Sequence, residues 1–389
     1  MTRAATTGGL RPFFLLTAVM SLGYGSVYTL LAQIRDDFGF SDSQVGLIAF
    51  AGLGMGFVAQ VTLARYADRG HAGAMVRVGV LIAALGMTWT VFATELWQWV
   101  AARLLLGLGT GTVGPAVRRV VIARDPANVG ANLGTQASFD VGGFVIGPLL
   151  AAGLAELFGL RAPFVVLAVL YLLVLVGVWS LDLHAGTEAG TRRVLRGLLS
   201  SPPMQAALCA TVAFYVTIGM FEALWALLLE DLGAETWVVG VTLSLFTVPM
   251  AVFAPFGGRT AQRRGPMRVV SISILVATAC TLSYGFAPLW AVIAVSAVHA
   301  VADSFTLPGN QVAVAVSSPP EQLAAGQGLL GAVGLAVAGL MALVGGQVYE
   351  AAGRDVAFAG TAALMLVFLA LARVRGHALM DAPVTPAAA

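Results

Sequence analysis

Lysine is missing from this chain altogether, cysteine occurs only twice, and charged residues make up only 10% of 389 positions. Without lysine there is no Schiff-base chemistry and no lysine-based phosphate loop. Cys209 and Cys280 both fall inside apolar runs, and no Cys/His spacing of metal-binding type occurs, so neither a metal nor a cofactor is expected. A net charge of +2 is too small to attract nucleic acid. What remains is apolar: 59% of the residues are hydrophobic, and the mean hydropathy is +0.89. Soluble domains are about half apolar and about a quarter charged. These totals indicate a polytopic membrane protein, and the long apolar runs below make the expected fold class all-α.

A spanning helix needs roughly 20 mostly apolar residues. Twelve segments qualify, at about 12–34, 44–64, 75–94, 97–119, 133–157, 162–181, 205–229, 236–257, 268–286, 289–316, 323–349 and 356–374. The stretch after Arg3 and Arg11 superficially resembles a secretory signal, but it runs on to Ile34 without a small-x-small cleavage site and is taken as the first span. The only substantial polar connector is 182–203, with Arg192, Arg193 and Arg196. It divides an N-terminal six-helix bundle, 1–181, from a C-terminal one with a short tail, 204–389.

Arginine placement sets the orientation. With twelve spans both termini share a side, and that side's loops hold 17 of the 21 arginines. The opposite loops hold Arg35, Arg161 and Arg354, and Arg103 lies within a span. The positive-inside rule places both termini in the cytoplasm. The expected location is the plasma (inner) membrane, in contact with the lipid bilayer, as a monomer.

The halves echo one another at a shift of 193–194 residues. Trp97 falls on Trp290, Pro115 on Pro308, Gly134 on Gly328, Glu156 on Glu350, Gly159 on Gly353 and Phe164 on Phe358. The loop 67–70 falls on 261–265. Six spans per unit in the same orientation describe two halves about an axis normal to the membrane, with a substrate site expected between them near the midplane.

Two charges stand at depths where charge is costly and usually functional. Arg103 opens Arg103-x-x-x-Gly107-x-Gly109-x-Gly111 in span 4; Asp140 precedes Gly143-x-x-x-Gly147-Pro148 in span 5. Asp140, Gly143 and Gly147 lie at i, i+3 and i+7, one helix face, stripped bare so that a helix of the other half can pack closely. A static small-residue packing face is the alternative. At 1.5 Å per residue Arg103 and Asp140 differ in depth by roughly 10 Å, so they can pair only if side chains reach or spans shift.

In these motifs the chain resembles the major facilitator superfamily, over essentially its whole length. Arg65-Tyr-Ala-Asp68-Arg69-Gly70 resembles the motif between spans 2 and 3, and 257–265 its degenerate copy between spans 8 and 9. The span 4 motif matches in full. The span 5 motif resembles that of proton-coupled exporters, including drug/proton antiporters, although its terminal glycine pair is Ala151-Ala152. The resemblance implies a proton-coupling role for Arg103. It also implies a cytoplasmic gate in which Asp68, with Arg69, meets Arg118 or Arg119 and the helix start near Gln322. Solvated loop charges are the plainer alternative for Asp68 and Arg69.

Span 10 adds His299 and Asp303 on one face, either a proton carrier or a structural hydrogen-bonded pair. Glu222 lies toward the outer end of span 7, for a cationic substrate, a proton or simply water. Tyr24, Tyr28, Phe139, Tyr215 and Trp225, with Phe221 and Phe305, are candidates to line a cavity. Trp97, Trp99, Trp237 and Trp290 sit at span ends, where indoles favour the interface. Two functions stay open: export of a small amphipathic or cationic compound by proton antiport, or proton-linked symport or facilitated movement of a sugar or other metabolite. An enzyme is not expected.

Overall fold

A computed structural model describes residues 9–181, 183 and 194–380. Arg3, Arg192, Arg193 and most of the connector lie outside the described residues, as does the side chain of Trp237. Among the described residues every regular element is helical.

Twelve long legs run in order among these residues: α1 Arg11–Thr29, α2 Asp42–Tyr66, α3 Ala72–Phe92, α4 Leu96–Arg124, α5 Val129–Phe158 and α6 Arg161–Trp179. The second half has α7 Pro202–Asp231, α8 Thr236–Arg264, α9 Pro266–Tyr284, α10 Leu289–Ser317, then α11 (323–352) and α12 (354–375). Several legs outrun the apolar windows by a turn or more, because polar ends continue the helix beyond the hydrocarbon. A short helix, Val194–Ser200, occupies part of the stretch expected to be connector.

Glycines in the left-handed region make the breaks. Gly70 (φ 84°) turns α2 into α3, Gly159 (φ 86°) separates α5 from α6, and Gly353 (φ 87°, ψ 170°) separates α11 from α12. Gly159 and Gly353 are repeat partners, so the same backbone device recurs in both halves.

The described residues form two compact units. One comprises residues up to 125, 139–194 and 320–332; the other comprises 126–138, 195–319 and 333 onward. Each six-helix half therefore lends the start of its fifth helix, α5 or α11, to the unit built mainly from the other half. The first unit's core joins Val76, Val80 and Met87 of α3 to Val117 and Val120 of α4 and to Phe164 and Tyr171 of α6. The second unit's core joins Trp225 and Leu228 of α7 to Ile274 and Tyr284 of α9 and to Phe358 and Met365 of α12. Between apolar helices in lipid the attraction is van der Waals packing rather than escape from water.

Trp97 and Trp290 are 61% and 74% exposed, as interface indoles should be, but Trp99 is only 2% exposed. Its ring packs edge-on against Phe38 and Phe164. The expectation for Trp99 is thus corrected: two residues further along α4 the side chain has rotated inward.

Candidate functional site

Asp68 is buried at the α2–α3 turn, where Gly70 lets the chain reverse. The Ala324 N–H donates to Asp68 Oδ1 at 2.8 Å, and the Ala325 N–H to Oδ2 at 2.9 Å. These are first-turn amides of α11, which have no partner within their own helix, and a carboxylate there also meets the positive end of the helix dipole. Arg119 Nε lies 3.2 Å from Asp68 Oδ1. Arg118 Nη1 donates to the Gln327 carbonyl at 3.5 Å. Arg69 does not join this cluster; its guanidinium lies 5.5 Å from the centre of the Tyr66 ring.

The second unit repeats the joint in neutral form. Gln262, the repeat partner of Asp68, accepts from the Gly130 N–H through Oε1 at 2.7 Å. Gly130 is in the first turn of α5 and corresponds to Ala324. Gln262 Nε2 completes the joint by donating to the Ala127 carbonyl at 2.8 Å. Backbone contacts repeat as well. A Cβ on Gly134 would collide with the Ala254 carbonyl, and one on its partner Gly328 would lie 2.6 Å from the Gln60 carbonyl.

The span 4 glycines seat α4 on two neighbours. A methyl at Gly107 would strike the Gly52 carbonyl of α2, and one at Gly111 would lie 2.6 Å from the Gly56 carbonyl. One at Gly109 would lie 2.5 Å from the Gly79 carbonyl of α3. The span 5 glycines need correcting. Gly143 and Gly147 face the Ala18 and Leu22 carbonyls of α1, a helix of their own half and the same unit. The positions on α5 that meet a helix of the other half are Gly130 and Gly134. Pro148 follows on the same stretch and contacts α1 beside Gly25.

That close α1–α5 seam places Asp140. The carboxylate is half-buried and accepts from Ser21 Oγ of α1. Arg103, 2% exposed, lies across the same helix: its Cζ is 4.9 Å from the Tyr24 ring centre and 4.8 Å from that of Tyr28. A methyl on Gly52 would lie 3.0 Å from the guanidinium, so glycine there makes room for it. Its three nitrogens have no hydrogen-bond partner among the described residues. Arg103 and Asp140 form no ion pair. Instead Ser21, Tyr24 and Tyr28, at i, i+3 and i+7, make one face of α1 that touches both charges. Ring faces attract the cation by their quadrupole, worth about 0.5–2 kcal/mol each.

In the second unit His299 and Asp303 are both buried. His299 Nε2 lies 3.6 Å from Asp303 Oδ2, and Nδ1 is 3.0 Å from the Tyr284 hydroxyl. Phe246 stands edge-on to the imidazole and Tyr284 stacks on it. Trp225 packs into the core, stacking on Phe221 and donating from Nε1 to Thr242 Oγ1 at 3.0 Å, and it borders a small pocket together with Tyr284 and His299. Tyr215 is half-buried with its ring against Gly334. Glu222 is exposed. Phe139 stacks on Phe14. Phe305 lines a groove between α8, α9 and α10, apart from these residues.

Sequence reasoning missed Ser21, Gly52 and Tyr284. Only Ser21 left a signal, its i, i+3, i+7 spacing with Tyr24 and Tyr28.

Two repeated six-helix halves, glycine-seated helices and buried ionisable groups define a polytopic helical membrane protein of the carrier type. The sequence profile of the Major Facilitator Superfamily matches residues 13–224 and again 206–383. The chain belongs to that superfamily. It is 26% identical to the multidrug resistance protein MdtG of Dickeya zeae over 259 residues, 64% of this chain and 63% of that protein. To MdtG of a Rahnella species it is 28% identical over 209 residues, half of each chain. The chain thus matches less than two thirds of the length of these relatives. Among solved structures it is similar to the human organic anion transporter MFSD10 (TETRAN): TM-score 0.72, 19% identity, 93% of this chain and 98% of that one. It is also similar to the transporter FucP in its outward conformation: TM-score 0.77, 18% identity, 96% and 99%. At such identities the likeness is one of fold.

Proposed function

We propose that this transporter exports a small amphipathic or cationic compound in exchange for protons, by alternating access in the inner membrane, with both termini cytoplasmic. The similarity to proteins named for multidrug resistance supports export, and the arginine bias supports the orientation. The observation that carries the coupling is Asp140: a half-buried carboxylate held by a neutral hydroxyl, Ser21, on the α1 face that also holds Arg103.

Protonation of Asp140 removes a charge from an apolar wall, and release restores it. The stripped Gly143 and Gly147 seam lets α1 respond, and Tyr24 and Tyr28 carry that response to Arg103. The Tyr284–His299–Asp303 group is a second proton site in the same scheme, in the other unit. Tyr24, Tyr28, Phe139, Tyr215 and Glu222 are the residues offered to substrate. The Asp68–Arg119 joint is the cytoplasmic gate, and the connector 182–203 tethers two rocking bundles.

The test is flux in proteoliposomes under an imposed pH gradient, with a panel of cationic, neutral and anionic compounds. Antiport moves substrate against the proton flow, and Asp140→Asn abolishes this while leaving insertion and thermal unfolding near wild type. Substrate moving with the protons would make the protein a symporter. Wild-type flux in Asp140→Asn would remove Asp140 from the mechanism.

A further inference from the structure

A groove of about 790 Å³ runs between α8, α9 and α10. Its mouth carries Arg263 and Arg264 at the end of α8 and Arg268 at the start of α9, all three exposed. Deeper in, its walls are apolar and still open: Ile272 is 60% exposed, Val298 53%, and Val276 and Val301 38% each. Phe305 completes the wall.

The depth can be read from register. α9 and α10 are consecutive spans joined by a short turn and so run antiparallel, and Thr306 Oγ1, donating to Ser273 Oγ at 2.8 Å, puts these two residues level. Val298 is then level with residue 281, thirteen positions beyond Arg268, or roughly 20 Å at 1.5 Å per residue. One leaflet of a ~30 Å hydrocarbon core is ~15 Å deep. The groove therefore starts at a cluster of cations, at the water boundary, and continues as apolar surface through about one leaflet.

The positive-inside bias alone asks for arginines at this end, not for three of them at the mouth of one groove. Nor does the joint to α5 need them, since Gln262 makes it. Their repeat counterparts in the first half are Arg69, Gly70 and Ala74, so two of the three cations are peculiar to the second half.

We propose that this groove binds an anionic phospholipid of the arginine-rich side, its phosphate on Arg263, Arg264 and Arg268 and an acyl chain along Ile272, Val276, Val298 and Val301. Guanidinium groups form forked hydrogen bonds with phosphate oxygens, and basic pockets between spanning helices on the cytoplasmic side select acidic headgroups. The site is separate from Asp140, Arg103 and His299, and does not depend on the transport reading.

The probe is phosphatidylglycerol against phosphatidylcholine with the same chains, offered to the full-length, delipidated protein in mixed micelles, with bound lipid counted by native mass spectrometry. Wild type is expected to retain phosphatidylglycerol over phosphatidylcholine by roughly tenfold or more, each cation near the headgroup adding to the attraction. R263Q/R264Q/R268Q loses that preference. Val301→Trp, which leaves the arginines intact but fills the groove, loses bound phosphatidylglycerol too, and it guards against misreading a folding defect in the triple variant. Soluble glycerol phosphate fails to displace the lipid. Equal retention of the two lipids by wild type, undiminished phosphatidylglycerol on the triple variant or on Val301→Trp, or displacement by glycerol phosphate would each overturn the proposal.

Discussion

Replacing Asp68 with asparagine removes one oxygen's charge and turns the other acceptor into a donor. The asparagine carbonyl can still take one of the Ala324 and Ala325 amides, but its NH2 then faces the other, donor against donor. Losing a hydrogen bond to a charged group costs about 1.5–3 kcal/mol. Arg119, whose side chain is 5% exposed, is left without its carboxylate, and breaking a buried pair from one side costs about 3–5 kcal/mol. The two overlap, so the joint as a whole weakens by about 3–5 kcal/mol. At 1.4 kcal/mol per tenfold, its opening equilibrium rises by a factor between about a hundred and several thousand. Hydrogen exchange of the peptide covering 320–332 reads this directly, because the protected amides are the ones Asp68 holds. The peptide covering 126–138, held by Gln262, serves as the internal control. Arg119→Gln is expected to lose less protection than Asp68→Asn, since Asp68 keeps both amides, and the double variant less than the sum of the singles. Unchanged exchange at 320–332 in Asp68→Asn would refute the reasoning.

Gly107→Ala sets a methyl against the Gly52 carbonyl, and overpacking of this kind costs about 1–3 kcal/mol; Gly142→Ala, with nothing within 4 Å of its Cβ, should leave the thermal unfolding midpoint unchanged. Gly353→Ala forces a side chain into backbone that essentially only glycine adopts, at about 1–3 kcal/mol, again read by thermal unfolding. Tyr24→Leu and Tyr28→Leu each remove a ring beside Arg103, at about 0.5–2 kcal/mol; the corresponding phenylalanine variants keep the ring, lose only the hydroxyl contacts, and should be destabilised less. Tyr284→Phe leaves His299 Nδ1 without its partner, at about 1–3 kcal/mol, and should lower stability without affecting exchange at 320–332.

The helices and their order were legible because twelve apolar windows separated by charged or glycine-containing breaks admit few alternatives. Asp68 was legible only through the family resemblance, which implied an arginine of span 4 and the start of span 11; Arg119 and the Ala324 and Ala325 amides meet it. Helix rotation was not. A span that is apolar on its lipid face and its protein face alike carries little amphipathic signal, so nothing in the sequence said that Gly143 and Gly147 turn toward α1. The same blindness put Trp99 at the interface, when it is packed against Phe38 and Phe164. Arg103 was recognised as buried, but its partners are aromatic faces and the bare backbone of Gly52, neither of which is a charge that pairing rules would look for.

The two halves share their fittings but not their chemistry. Gly134 and Gly328 seat the same kind of contact, Gly159 and Gly353 make the same break, and Asp68 and Gln262 hold equivalent amides. The groups at Asp140 and Arg103, at Asp68 and Arg119, and at His299 and Asp303 all lack a charged counterpart. Asp140 corresponds to Gly334, Arg103 to Ser296, Arg119 to Val312, His299 to Leu106 and Asp303 to Thr110. A symmetric scaffold can pass between two states with little bias, because what one half loses the other regains. The bias must then come from what is not repeated. The charged joint at Asp68 can be weakened without its neutral copy at Gln262, and on the proposed exchange cycle a proton taken up at Asp140 has no matching site at Gly334. Gln262→Glu tests this. With Val312 where Arg119 stands in the first half, the new carboxylate has no counterpart to that arginine. Hydrogen exchange at 126–138 should stay the same or rise, and a gain in protection there comparable to what Asp68 gives at 320–332 would show that the arginine is dispensable to the asymmetry.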